Sequence, residues 1–201
     1  MNRIICCFLS LFIAMSISYA QSSPPVTLLK NVSQAVINDL DKHRATYRLD
    51  HKKLTQMIQK HLIPHVALNT LSQSVLGRHY WAQASAKQRR EFIDLFLKTV
   101  INVYAHALTS YQKQQIKFLP IRGYRPDQNS AQVQCLLQPH DGRLPIRVTY
   151  QLIKQQGQWK ILDFSVDGVS LIRNYRAQFA PSLSQGGMTT LLQRMKARSK
   201  Q

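Results

Sequence analysis

The chain has 201 residues, with 27 Lys and Arg against 9 Asp and Glu and a formal net charge of +18. That length gives one domain able to bury a core of its own. Three cysteines, Cys6, Cys7 and Cys135, are too few and too unevenly placed for a disulfide framework.

The first twenty residues read as a cleaved secretory signal. Arg3 gives a short positive start, an apolar run follows from Ile4 to Ile17, and Ser18-Tyr19-Ala20 closes it with small residues where a signal peptidase needs them. The run is shorter than the roughly 20 residues that span a bilayer. Residues 21–201 then form a single domain whose one remaining cysteine, Cys135, excludes an internal disulfide. Removing Arg3 leaves 26 basic against 9 acidic side chains, a charge of +17. An exported chain with dispersed basic residues points away from nucleic acid. Anionic headgroups, an acidic protein surface, or a solvated basic surface with no single partner are the readings that remain.

Ser22-Ser23-Pro24-Pro25 is an unstructured start. Val26, Leu29, Val32, Val36, Ile37 and Leu40 recur at helical spacing and predict a first helix ending near Lys42, followed by a charged connection. Asp50 is placed to cap a second helix with the stripe Leu54, Met57, Ile58 and Leu62, which Pro64 ends. A third helix is predicted over 66–76, with Gly77 terminating it. Ser85 and Gln88 fit a capping box that opens a long helix to about Tyr111. Phe92, Phe96, Val100, Val103, Tyr104, Leu108 and Tyr111 form one stripe of that helix, widened by Ile93, Leu97, Ile101 and Ala105. An arc so wide must be covered on more than one side or face a cavity.

Beyond Gln115 the period changes to two. Residues 116–121 predict a short edge strand. Ala131, Val133, Cys135 and Leu137 share one strand face, and Ile146, Val148, Tyr150 and Leu152 share another. Residues 140–143 and 154–158 predict tight hairpin turns, and Trp159 to Val166 the last strand. Helices first and strands after give an α+β order: a helical N-terminal part packed on a four-stranded antiparallel sheet.

Asp163 and Asp167 look like an acid–base pair. Along one strand they would lie about 13 Å apart, wider than the roughly 5–9.5 Å of paired glycosidase carboxylates. Asp167-Gly168 reads instead as a chain reversal, with Asp167 or Ser170 capping the next helix. His61 and His65 have the spacing of a helical metal pair, but Pro64 separates them and no third ligand is near, so no metal site is expected. His106 on the long helix could face a cavity as a base, and Cys135 reads as a small buried hydrophobe. No phosphate loop or nucleophile elbow appears. Periodicity leaves a filled core and a hollow one equally open.

The stretches VLGRHYWAQASAKQRREF (75–92), YAHAL (104–108), VTYQL (148–152), GQWKILDFSVDGVSLIRNYRAQF (157–179) and GGMTTLLQRM (186–195) resemble the MlaC, or toluene-tolerance auxiliary, family across about Val26 to Leu192. Two features depart from the family pattern: Asp167 stands where Glu is commoner, and His79-Tyr80 lies between Gly-Arg and Trp81. The resemblance implies a nuclear transport factor 2-like fold with a lipid cavity between sheet and helices. It implies a soluble periplasmic carrier of phospholipid, not an enzyme, with bound phospholipid as ligand and no other cofactor. The implied partners are an inner-membrane MCE-type ABC transporter complex and an outer-membrane lipoprotein–porin complex, with the carrier a monomer. On that reading the expected lining is Trp81, Phe96, Val100, Val103, Tyr104, Val133, Tyr150, Trp159, Val169 and Ile172, and Arg173 and Arg176 are expected to face a headgroup or an acidic partner. Two acyl chains would need a pocket at the large end of the roughly 300–1,000 Å³ range. Two other readings remain open: a small enzyme on the same fold using His106 or Asp163, and a basic envelope adaptor with a dry, packed core.

Overall fold

The computed structural model describes residues 24–110, 114–121, 123–139 and 142–199, with the side chains of residues 106 and 107 left aside. The expected leader, the Tyr111 end of the long helix and His140-Asp141 of the first hairpin turn lie outside these residues.

Five helices and five strands follow in the order α1 (Pro25–Leu49), α2 (His51–His61), α3 (Leu68–Gln83), α4 (Ala86–Thr109), β1 (Gln115–Phe118), β2 (Ser130–Gln138), β3 (Ile146–Gln155), β4 (Gln158–Val166), β5 (Val169–Ser170) and α5 (Leu171–Arg198). A 3-10 turn, Ile63–His65, joins α2 to α3. The fold is α+β, and its sheet has five antiparallel strands in sequential order, not four. The added strand is the two-residue β5, too short to carry an alternating pattern. It pairs with β4 through Ser165–Ser170 and Val166–Val169.

Local chemistry sets most of the boundaries. The Asp50 carboxylate accepts from Lys53 N–H and opens α2. Ser85 and Gln88 exchange reciprocal bonds of 3.2 and 2.9 Å at the start of α4. Ser170 Oγ accepts from Arg173 N–H and opens α5. Gly77, at φ +78°, ends the first part of α3 as expected, but the chain resumes helical form to Gln83. The first helix also runs further than its apolar stripe: it kinks at His43 and continues to Leu49.

The sheet presents one apolar face. Across β2, β3 and β4 the rows Val133–Tyr150–Phe164 and Cys135–Val148–Val166 lie side by side. A bulge leaves Leu162 unpaired between Ile161 and Asp163. Alternation from Trp159 would have turned Asp163 inward; the extra residue hands that face to Phe164 and Val166 and bends the strand. The α2–α3 connection is pinned to the same strand by Ala67 N–H donating to Ile161 C=O at 2.8 Å.

Three separate apolar clusters hold the layers together. Phe92 and Phe96 of α4 pack with Leu71 and Val75 of α3 and with Tyr175, Phe179 and Leu183 of α5. Ile101 and Ala105 of α4 pack with Leu40 and Tyr47 of α1 and Leu54, Met57 and Ile58 of α2. Leu29 of α1 packs on Ala131, Val133, Leu152, Trp159 and Ile161 of the sheet. A domain of this size ordinarily has one contiguous core. Here the clusters meet around a hollow.

Candidate ligand cavity

The hollow is a cavity of about 300 Å³ between the sheet face and α2, α3 and α4. Each cluster supplies part of its wall: Leu71, Phe96 and Leu171 from the first, Ile58 and Ile101 from the second, Ile161 from the third. Val148, Phe164 and Val166 floor it from the sheet, and Leu62, Ile63, Val66 and Leu68 close the α2–α3 side. Val100, Tyr104 and Leu108 recur every four residues, which keeps them on one face of α4 toward the hollow. Apart from Asp163, Tyr104 and Tyr150, every lining residue is Ile, Leu, Val or Phe. The volume is at the small end of the range for ligand pockets, not the large end.

Of the ten side chains expected to line a cavity, the structure brings four together: Phe96, Val100, Tyr104 and Tyr150. Val133 and Trp159 are buried on the sheet face beneath α1 and do not reach it. Trp81 packs at the edge of the α3–α4–α5 cluster, with the Arg89 guanidinium 5.3 Å from its ring centre. Ile172 packs on that same cluster. Val103 and Val169 are corrections: they are 60% and 65% exposed. Val103 sits at the outer edge of the α4 arc, and Val169 lies on a strand that forms the open edge of the sheet. The missed lining includes the α2 stripe, residues of the α2–α3 connection and α3, and Phe164 and Val166, whose inward turn depends on the β4 bulge.

The remaining candidates have structural partners. Arg173 donates to Gly168 C=O at 3.0 Å, and Arg176 Nε to Ser74 C=O at 3.1 Å, a carbonyl freed by the break at Gly77. Both arginines are exposed and neither lines the cavity. Asp163 accepts from Ser170 Oγ at 2.5 Å and from Ile172 N–H at 3.1 Å, so it ties β4 to the start of α5. Asp167, at φ +46°, forms the chain reversal with Gly168 and accepts from Arg147 N–H at 3.1 Å. His61 bonds Asp39 at 2.8 Å, whereas burial and nearby Lys160 lower the pKa of His65. No group of three or more metal-ligating side chains occurs among the described residues. Burial pushes the Cys135 thiol up to about 11, which keeps it protonated. The His106 side chain lies outside the described residues.

Comparison with known proteins agrees with this geometry. The family model described as MlaC protein matches residues 30–197. The intermembrane phospholipid transport system binding protein MlaC of Haemophilus influenzae is 26% identical over 195 residues, covering 96% of this chain and 90% of its own. Toluene tolerance protein ttg2D of Pseudomonas putida is 23% identical, covering 89% and 82%. A phospholipid-binding protein from Ralstonia solanacearum, solved in complex with a phospholipid, superposes with a TM-score of 0.79 at 25% identity, covering 86% of this chain and 94% of that one.

Proposed function

The chain belongs to the MlaC family, and from that premise we propose that it is a periplasmic phospholipid carrier. It takes lipid between the outer membrane and an inner-membrane MCE-type ABC transporter. The observation that carries this reading is the hollow itself: sixteen of nineteen lining residues are Ile, Leu, Val or Phe, and none is cationic. Such a wall suits hydrocarbon and offers a phosphate no positive charge.

Energetics give the cavity its use. A diacyl lipid has about 30 methylenes, each worth ~0.8 kcal/mol against water, so unaided transit would cost more than about 20 kcal/mol. An apolar cavity replaces the bilayer nearly isoenergetically, so the carrier sets no direction and its membrane partners do. Two acyl chains need more room than about 300 Å³. Loading therefore moves the α2 wall, whose cluster is separate from the α3–α4–α5 cluster, away from the sheet. The headgroup stays in water, where the exposed donors of Arg173 and Arg176 can meet a phosphate or an acidic partner.

Paired substitutions on α4 test this reading. Val100→Glu puts a carboxylate into the wall, and the phospholipid co-purifying with the protein falls about tenfold or more, since an unpaired buried charge costs several kcal/mol. Val103→Glu, three residues on and facing water, retains it. Full lipid content in a folded Val100→Glu protein would rule the cavity out as the lipid site.

A further inference from the structure

Three polar side chains interrupt the hydrocarbon wall, and they are not equivalent. The Asp163 carboxylate is taken by Ser170 and Ile172. The phenols of Tyr104 and Tyr150 make no hydrogen bond among the described residues, and neither oxygen is sealed from solvent, so both stay reachable from the hollow. They flank one ring: Tyr150 is the cross-strand partner of Phe164, and Tyr104 meets Phe164 edge-on at 5.3 Å. Burial raises the pKa of both, helped by the Asp163 charge at Tyr104 and by Cys135 at Tyr150. Each therefore stays a hydrogen-bond donor. A donor that no protein group holds is free to bond an acceptor on a ligand that enters the hollow.

We infer that Tyr104 and Tyr150 donate to the ester carbonyl oxygens of the bound phospholipid, so that the cavity recognises acyl esters and not merely alkyl chains. The inference rests on the carrier reading above. A phosphate is a poor alternative acceptor here. No cation lines the cavity, and the Asp163 carboxylate is close enough to Tyr104 to act on its titration. A second anion would meet like charge in a poorly hydrated place. A carboxylate from a free fatty acid fails for the same reason. The ester carbonyl is a neutral acceptor at the head of each chain, and two donors match the two esters of a diacyl lipid.

The test is a competition. Protein stripped of lipid is equilibrated with vesicles holding equal amounts of a diester phosphatidylglycerol and the diether form with the same chains. The bound ratio is then read by native mass spectrometry. The wild type is expected to favour the ester by roughly 5- to 100-fold, the worth of two ordinary hydrogen bonds. Tyr104→Phe and Tyr150→Phe each lower that ratio, and the double variant brings it near one. Phe keeps the ring that packs on Phe164, and lipid of either kind bound to a variant reports that it is folded. Should the double variant take up neither lipid, the single variants decide, and their ratios must each fall. A wild-type ratio of one, or a ratio that survives both substitutions, overturns this inference and leaves the carrier reading standing. A wild type that takes up neither lipid overturns both.

Discussion

Asp39 shows what one side chain can decide in this chain. It lies on α1 four residues before the kink at His43 and accepts hydrogen bonds from Tyr47 beyond the kink and from His61 at the end of α2. Burial alone would raise its pKa, but the bonds from Tyr47, His61 and His43 outweigh that and hold it at about 2. A carboxyl held below its ordinary 3.8 stabilises the fold above that value, and the gain is lost as pH falls through about 2. Asp39→Asn should therefore cost on the order of 2 kcal/mol near neutral pH. Denaturant titrations from pH 7 downward should show the difference from wild type closing between about pH 4 and 2. A constant difference over that window would contradict the assignment. Tyr47 gives the alkaline counterpart: burial and Asp39 push its phenol up to about 12, so its contribution is present below pH 10 and fades as pH rises through 12. None of this was legible in the sequence, because the three partners meet only through the kink and the α1–α2 turn. The caps at Asp50, Ser85 and Ser170 and the turn at Asp167-Gly168 were legible, because each is settled within a few residues of chain.

At the scale of elements, α4 carries the fold and the site at once. Its wide arc is divided three ways: Phe92 and Phe96 toward α3 and α5, Ile101 and Ala105 toward α1 and α2, and Val100, Tyr104 and Leu108 toward the cavity. The sequence showed that the arc needed more than one partner. It did not show where the arc ends, so Val103 fell on the wrong side of that boundary. The β4 bulge is the other element-level feature a period of two could not reveal, and it brings Phe164 and Val166 onto the inner face beside Asp163. The division predicts a split in mutant behaviour. Phe92→Ala empties a fully buried, ring-stacked position and should cost about 3–5 kcal/mol, with lipid lost only as the protein unfolds. Val100→Glu should lose lipid while the α3–α5 packing persists. Equal loss of stability in both variants, read by chemical denaturation, would show that the cavity face of α4 is not separable from its core face.

At the scale of the whole molecule, the hollow and the charge belong together. A domain that gives its centre to a ligand keeps three small cores in place of one, so bound lipid becomes part of what stabilises the fold. A basic surface would suit the proposed carrier, which on that reading has to find anionic headgroups or acidic partners at two membranes. The order of helices and strands was readable from periodicity because each buried face has its own repeat. Cavity depth was not, since a residue facing a hollow and one facing a neighbour carry the same pattern: Val133 and Tyr150 are paired on one sheet face, yet only Tyr150 reaches the cavity. The most direct test is native mass spectrometry of the protein expressed from its full sequence and purified without detergent, followed by organic extraction of the same sample. A stoichiometric adduct of phospholipid mass, with the matching lipid in the extract, is the predicted result. A bare protein mass with no lipid extracted would contradict the central claim.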